Sequence, residues 1–129
     1  MSFSMNFTIE ADLKRRLIRS KIYGIWKKET ATEYHEEFKK VVQPLLGDRW
    51  AKIVNLGNWK PSYPEMIEVI GDHIRWCHDN KAVFSIFVVD NPVTTNQLKK
   101  MIEKSGYADA CPIFQTLTEA ENLLKQNGF

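Results

Sequence analysis

Alternating apolar and polar positions predict two strands at the start of the chain. Residues 3–10 and residues 17–26 both follow a period of two, which is typical of strands with one covered face and one wetter face. Residues 11–16 between them are predicted to form a turn. The apolar positions of the first segment are Phe3, Met5, Phe7 and Ile9. The chain is therefore expected to open with an antiparallel hairpin.

Four pairs of the type Ser/Thr-x-x-Glu/Gln occur later in the chain. Each pair is followed by apolar residues at helical spacing. In such a capping box the two side chains satisfy free backbone N–H groups of the first helical turn. Each pair therefore predicts the start of a helix. The pairs are Thr30 with Glu33, Ser62 with Glu65, Thr94 with Gln97, and Thr118 with Glu121.

Short apolar runs separate these helices and predict three further strands, at residues 50–56, 81–90 and 111–115. The second run is almost continuously apolar, which indicates a central parallel strand. The predicted order is ββαβαβαβα, an α/β fold whose sheet is mostly parallel after the N-terminal antiparallel hairpin. A chain of 129 residues is expected to form one domain.

The chain that follows residues 50–56 is the main candidate for function. Gly57 and Asn58 are predicted to form a tight reversal, and the next loop is rich in aromatic and proline residues. In open α/β sheets ligands gather at the carboxyl ends of the strands. A binding surface for a peptide or a small molecule is therefore predicted there; alternatively, Trp59 only covers the sheet edge. The predicted surface consists of Asn55, Trp59, Ser62, Tyr63, Asp90, Asn91 and Thr95.

Composition limits the classes of protein that the chain can belong to. Apolar content of 43% and charged content of 26% are typical of a globular protein, and no apolar run is long enough to cross a membrane. Two cysteines are too few for a disulfide framework, so a cytoplasmic location is expected. The net charge of +2 gives no indication of nucleic-acid binding.

One segment is strongly basic. Residues 14–28 contain seven basic side chains and no acidic one. They predict either an anion-binding patch or a solvated hairpin tip whose charge prevents edge-to-edge aggregation.

Motifs of catalysis and cofactor binding do not occur in the sequence. It has no G-x-S-x-G, P-loop or G-x-G-x-x-G motif. His73 and Cys77 stand one helical turn apart, but two ligands do not make a metal site. No enzymatic activity, cofactor or metal is therefore expected.

The element order and several local motifs resemble the SpoIIAA-like (STAS-like) family. The motifs are Gly24-Ile25-Trp26, Trp50-Ala51-Lys52-Ile53-Val54-Asn55-Leu56, Trp59, Gln97-Leu98 and Thr118-Glu119-Ala120. The resemblance covers nearly the whole chain from about Phe7, and it implies a (βα)n superhelix. In one branch of the family, a serine or threonine at the start of the second helix is phosphorylated to switch partner binding.

By position that serine is Ser62, which the resemblance makes a candidate phosphorylation site; alternatively, Ser62 is an ordinary N-cap. The Asp-Ser-(Ser/Thr)-Gly motif of that branch is replaced here by Asn55-Leu56-Gly57-Asn58 and Trp59-Lys60-Pro61-Ser62. The resemblance implies a non-catalytic regulatory or protein-interaction domain, with a protein partner or a homodimer. The alternative is a carrier of a small apolar or anionic ligand, as in the SEC14-like domains of related fold.

Overall fold

The computed structural model describes residues 2–3, 6–60 and 63–129, and within them the predicted alternation of strands and helices is confirmed. The α/β order is ββαβαβαβα preceded by a two-residue strand. Short 3-10 turns at Gln43–Leu45 and Ala108–Ala110 lead into β4 and β6. The strands are β1 (Ser2–Phe3), β2 (Phe7–Asp12), β3 (Leu17–Gly24), β4 (Trp50–Trp59), β5 (Ala82–Val88) and β6 (Ile113–Phe114). The helices are α1 (Lys28–Val42), α2 (Met66–Asp79), α3 (Pro92–Ser105) and α4 (Leu117–Gln126).

The described strands form one sheet in which sequence order and spatial order coincide. β1, β2 and β3 are antiparallel, and β3 to β6 are parallel. The predicted hairpin and parallel sheet are therefore confirmed. Successive right-handed crossovers that move in one direction place their helices on one face of a sheet. This is where α1, α2 and α3 lie, over the larger core.

Each face of the sheet carries its own core. The apolar stripe of α2, which consists of Met66, Ile70, Ile74 and Cys77, is buried in the larger core. The smaller core lies on the opposite face, where α4 covers β3, β4 and β5. Its buried members are Leu17, Ala51, Ile53, Ile86, Val88, Ala120, Leu124 and Phe129.

β5 is parallel to strands on both of its sides, as predicted, but it does not lie at the centre of the sheet. Among the described strands β5 is next to last, and only Phe87 and Val88 pair with β6. Val83 and Phe84, near the start of β5, are only half-buried. The strand is almost continuously apolar because helices cover both its faces, and this does not require a full-length strand on both sides.

β4 is longer than predicted. The prediction of a tight reversal at Gly57 and Asn58 is wrong, because both residues lie within this strand. Pairing with β3 shifts by one residue near Leu56, as in a β-bulge. The Asn55 side-chain oxygen supports the irregularity by accepting a hydrogen bond of 2.9 Å from Gly57 N. An extra residue inverts the alternation of side chains, so Trp59 turns into the larger core with Leu56.

The predicted capping boxes of α1 and α3 lie inside their helices. α1 begins at Lys28, and the Thr30 hydroxyl accepts a 3.4 Å hydrogen bond from Lys27 N. α3 is capped by Asn91, whose side chain accepts from the backbone N–H groups of Val93 and Thr94. Asn91 is followed by proline at the first helical position, where a missing N–H costs nothing. Thr30 and Thr94 therefore mark the first turns and not the caps.

The last helix shows the same displacement. Thr116, and not Thr118, is the N-cap of α4, and its hydroxyl accepts a 3.3 Å hydrogen bond from Glu119 N. In α2 the first helical residue is Met66 and Glu65 is the N-cap, without a side-chain cap. The capping residue predicted there, Ser62, lies outside the described residues.

Arginines of the basic segment fix the β2–β3 hairpin to the rest of the protein. Arg15 donates to Glu121 at 3.1 Å and to the Phe129 carbonyl at 3.0 Å. Arg19 pairs with the same carboxylate at 2.5 Å, which holds the pKa of Glu121 below its usual value. Arg16 donates to the backbone carbonyls of Leu45, Asp48 and Arg49. These three arginine side chains form neither a solvated tip nor an anion-binding patch, because their hydrogen-bond partners belong to the protein itself.

α2 and α3 approach closely at Gly71. A Cβ atom at this position would lie 2.7 Å from Lys104 Cβ and 3.2 Å from the Met101 carbonyl oxygen. Arg75 closes the same contact by donating to the Ser105 carbonyl at 3.1 Å. The packing of these two helices therefore requires a glycine.

Candidate functional site

Two of the predicted site residues, Asp90 and Thr95, line one cleft at the carboxyl end of β5. The cleft has a volume of about 470 Å³ and lies between the start of α3 and β6. Asn91 lies between them in the sequence, and its side chain caps α3. The Thr95 hydroxyl donates to the Asn91 carbonyl at 2.8 Å. The cleft is lined by Val89, Asp90, Pro92, Thr95, Asn96, Lys99, Ile113, Phe114 and Gln115.

The other predicted residues lie in separate hollows. Asn55 is on the α4 face, in a cleft with Arg19 and Lys21. Trp59 is only 4% exposed and lines an internal cavity, whereas Tyr63 is 49% exposed and borders a surface cleft near the start of α1. Ser62 lies outside the described residues. The described residues of the predicted surface are thus not brought together in one hollow.

Exposed apolar side chains concentrate at the rim of the sheet where the parallel strands have their carboxyl ends. Large hydrophobic residues with high exposure occur after each strand from β3 to β6. They are Ile25 at 57%, Tyr63 at 49%, Val93 at 60% and Leu117 at 47%. In the described part of the chain the one other such residue is Leu13, 58% exposed, in the hairpin at the opposite rim. Because parallel strands lie about 4.8 Å apart, the loops after neighbouring strands are close in space.

The first two of these loops are joined by backbone hydrogen bonds. Tyr63 N donates to the Trp26 carbonyl at 3.1 Å, and Lys60 N donates to the Gly24 carbonyl at 3.0 Å. Ile25 and Tyr63 are therefore held as neighbours. We call Ile25, Tyr63, Val93 and Leu117 the carboxyl-rim residues.

A second unusual feature is a lysine inside the larger core. Lys52 is 1% exposed and stands in β4 between Trp50 and Val54 on the apolar face. In the sheet register it pairs with Ile18 of β3 and Ser85 of β5. Its ammonium lies 5.3 Å from the centre of the Phe38 ring and 5.9 Å from that of Phe87.

The groups around Lys52 are neutral at neutral pH. Burial, followed by the Lys52 charge, keeps the pKa of His73 well below its ordinary value. The same causes lower the pKa of His78 to about 4. Burial raises the pKa of Cys77, which hydrogen-bonds Lys52, and raises that of Cys111 to about 11. Among the described residues no carboxylate pairs with the Lys52 ammonium.

The histidines of this region already have partners within the protein. His73 Nδ1 lies 2.8 Å from His35 Nδ1, and its Nε2 lies 3.7 Å from Cys77 Sγ. His78 contacts the Ala82 carbonyl at 2.9 Å and the Ser85 hydroxyl at 2.8 Å. Within residues 2–3, 6–60 and 63–129, no three His, Cys, Asp or Glu side chains are placed to hold a metal ion.

A small cavity lies beside Lys52, between the sheet and residues of α1, α2 and α3. Its volume is about 20 Å³, room for roughly one water molecule. Trp59 also lines this cavity, and its buried Nε1 atom has no hydrogen-bond partner among the described residues, whereas Trp26 and Trp50 donate to backbone carbonyls at 2.9 and 2.8 Å. The lining residues are Ile22, Trp26, Tyr34, Lys52, Val54, Leu56, Trp59, Ile70, His73, Ile74, Phe87, Leu98 and Met101.

Lys52 was not among the residues predicted from sequence to have a function. The signal was present, because Lys52 occupies a core-facing position of the alternation between Trp50 and Leu56. A charged side chain at such a position is rare unless it is paired.

Comparisons with models of protein families and with curated proteins find no match to the chain. The resemblance to the SpoIIAA-like family therefore stays a prediction. None of the described helices combines the length and the apolar composition that a membrane-spanning helix needs.

Proposed function

We propose that this chain is a non-catalytic domain of the SpoIIAA-like (STAS-like) type that binds another protein chain through its carboxyl-rim residues. The observation that carries the proposal is the exposure of one large apolar side chain after each of the four parallel strands. Several exposed apolar side chains at one rim favour an interaction site there, because burying them against a partner removes them from water.

The partner is either a second copy of the chain or a different protein with an apolar patch. Two features support a binding role without catalysis. The aromatic Tyr63, one of the carboxyl-rim residues, belongs to a residue type that interfaces favour. The buried His73 is engaged with His35 and Cys77, and His78 with Ser85 and a backbone carbonyl. The proposal includes a cytoplasmic location, which two unpaired, buried cysteines favour.

Native mass spectrometry of the protein purified from its own host tests the proposal. Wild-type protein is expected to carry a second chain, identical or different, at a fixed stoichiometry. Val93→Ser is expected to lose that chain, because it removes an apolar side chain from the rim. Leu13→Ser is the matched control, since Leu13 is equally exposed at the opposite rim. A monomer in all samples, or equal retention by both variants, would contradict the proposal.

Carriage of a small ligand is a second candidate function. A different observation favours it: Lys52, which has no carboxylate partner among the described residues, lies beside an internal cavity.

A further inference from the structure

The buried Lys52 ammonium lacks the anion that such a charge normally requires. Removing an ammonium from water costs several kcal/mol unless an opposite charge or good hydrogen bonds compensate. Lys52 is 1% exposed, its neighbours are neutral thiol, imidazole and aromatic groups, and it has no carboxylate partner in the described chain. An anionic ligand would supply the missing charge.

The lining of the cavity beside Lys52 is almost wholly apolar. Val54 and Leu56 follow Lys52 on the same face of β4, and Leu98 and Met101 of α3 complete the wall. The strand rises about 13 Å from Lys52 to Leu56, so a ligand that opened the cavity along this strand would be an elongated hydrocarbon and not a compact inorganic anion. The chemistry of the site is therefore one charged end and one apolar tail.

As it stands the cavity holds about one water, so a ligand must displace part of the wall. Among the tryptophans that line the cavity, Trp59 is the one whose movement breaks the fewest hydrogen bonds. Its indole N–H has no hydrogen bond to any described residue, unlike those of Trp26 and Trp50. Met101 adds an adaptable side chain opposite.

We propose that this cavity binds a small monocarboxylate with a linear apolar body, whose carboxylate pairs with Lys52 and whose tail lies along Val54 and Leu56 toward Trp59. The site is separate from the carboxyl-rim residues, none of which lines the cavity. The failure of either proposal therefore leaves the other standing.

Calorimetric titration of the full chain with octanoate, and with 1-octanol as its uncharged counterpart, tests the assignment. Wild-type protein is expected to bind octanoate, and the Trp59 indole N–H signal in NMR spectra is expected to shift as it does so. Lys52→Met is expected to weaken octanoate binding at least tenfold and to leave 1-octanol binding unchanged within twofold. Lys40→Met, at a 73% exposed lysine of α1, is the matched control and is expected to bind like wild type.

Two results would overturn the proposal. One is an octanoate titration at millimolar concentration that gives no heat and no shift of the Trp59 signal in wild-type protein. The other is equal octanoate affinity of wild type and Lys52→Met. The NMR result on wild-type protein does not depend on the folding of any variant.

Discussion

Replacing Lys52 by methionine is expected to stabilise the fold, although it removes a side chain from the core. Methionine has a similar length, so it fills the same space without the charge. The change removes a desolvation cost of several kcal/mol. It also loses a hydrogen bond to Cys77 and contacts with two aromatic rings, each worth about 1 kcal/mol. The net expectation is a gain of about 1–2 kcal/mol in the free energy of unfolding.

Urea denaturation followed by circular dichroism measures this difference. Lys40→Met is the control, and its free energy of unfolding should stay within about 0.5 kcal/mol of wild type because the side chain is on the surface. A loss of more than about 1 kcal/mol in Lys52→Met would refute the reasoning, since it would mean that the neutral neighbours already satisfy the ammonium. Greater stability together with weaker octanoate binding is the combination expected of a binding residue.

Other predictions concern pH and packing. Because the pKa of His73 is well below its ordinary value of 6.5 and that of His78 is about 4, the unfolded chain binds more protons below pH 6.5. Stability should therefore fall from pH 6.5 toward pH 5 by up to about 1.4 kcal/mol per pH unit for each histidine, and a flat profile in urea titrations would contradict this. Gly71→Ala should lower the melting temperature by several degrees through its clash with α3, whereas Gly47→Ala, in open space, should not. Asn91→Ala should cost about 1 kcal/mol by removing the cap of α3, measured by the same urea titration.

Local patterns predicted the elements of this fold well and their ends less well. The Ser/Thr-x-x-Glu/Gln pairs at Thr30, Thr94 and Thr118 did locate helix starts, but the caps lie two or three residues earlier. A threonine is compatible with the first turn as well as with the cap, so the pair alone does not fix the boundary. In α3 the dipeptide Asn91-Pro92 was the stronger signal, because proline is favoured at the first helical position.

Features that depend on distant residues could not be predicted. The inward turn of Trp59 follows from a bulge, and the bulge exists only in the pairing of β4 with β3. The roles of Arg15 and Arg19 depend on Glu121, more than 100 positions away. The basic segment therefore suggested a surface patch, although these two arginines serve to attach α4 to the hairpin.

The candidate site was predicted in part. The carboxyl rim was the expected location, and the exposed Tyr63 lies there. The expected cluster is instead divided between separate hollows, since Asn55 lies on the α4 face of the sheet and the bulge turns Trp59 into the larger core. Lys52 was not predicted to be a site residue, because a lysine within an alternating strand usually lies on the solvated face.

Photo-crosslinking in the native host tests the central claim, binding through the carboxyl rim, most directly. A benzoylphenylalanine residue is placed at Val93 in one sample and at Leu13 in another, since both positions are about equally exposed. Irradiation is expected to give one adduct of defined mass from position 93 and none from position 13. Equal labelling from both positions, or no adduct from position 93, would contradict the account.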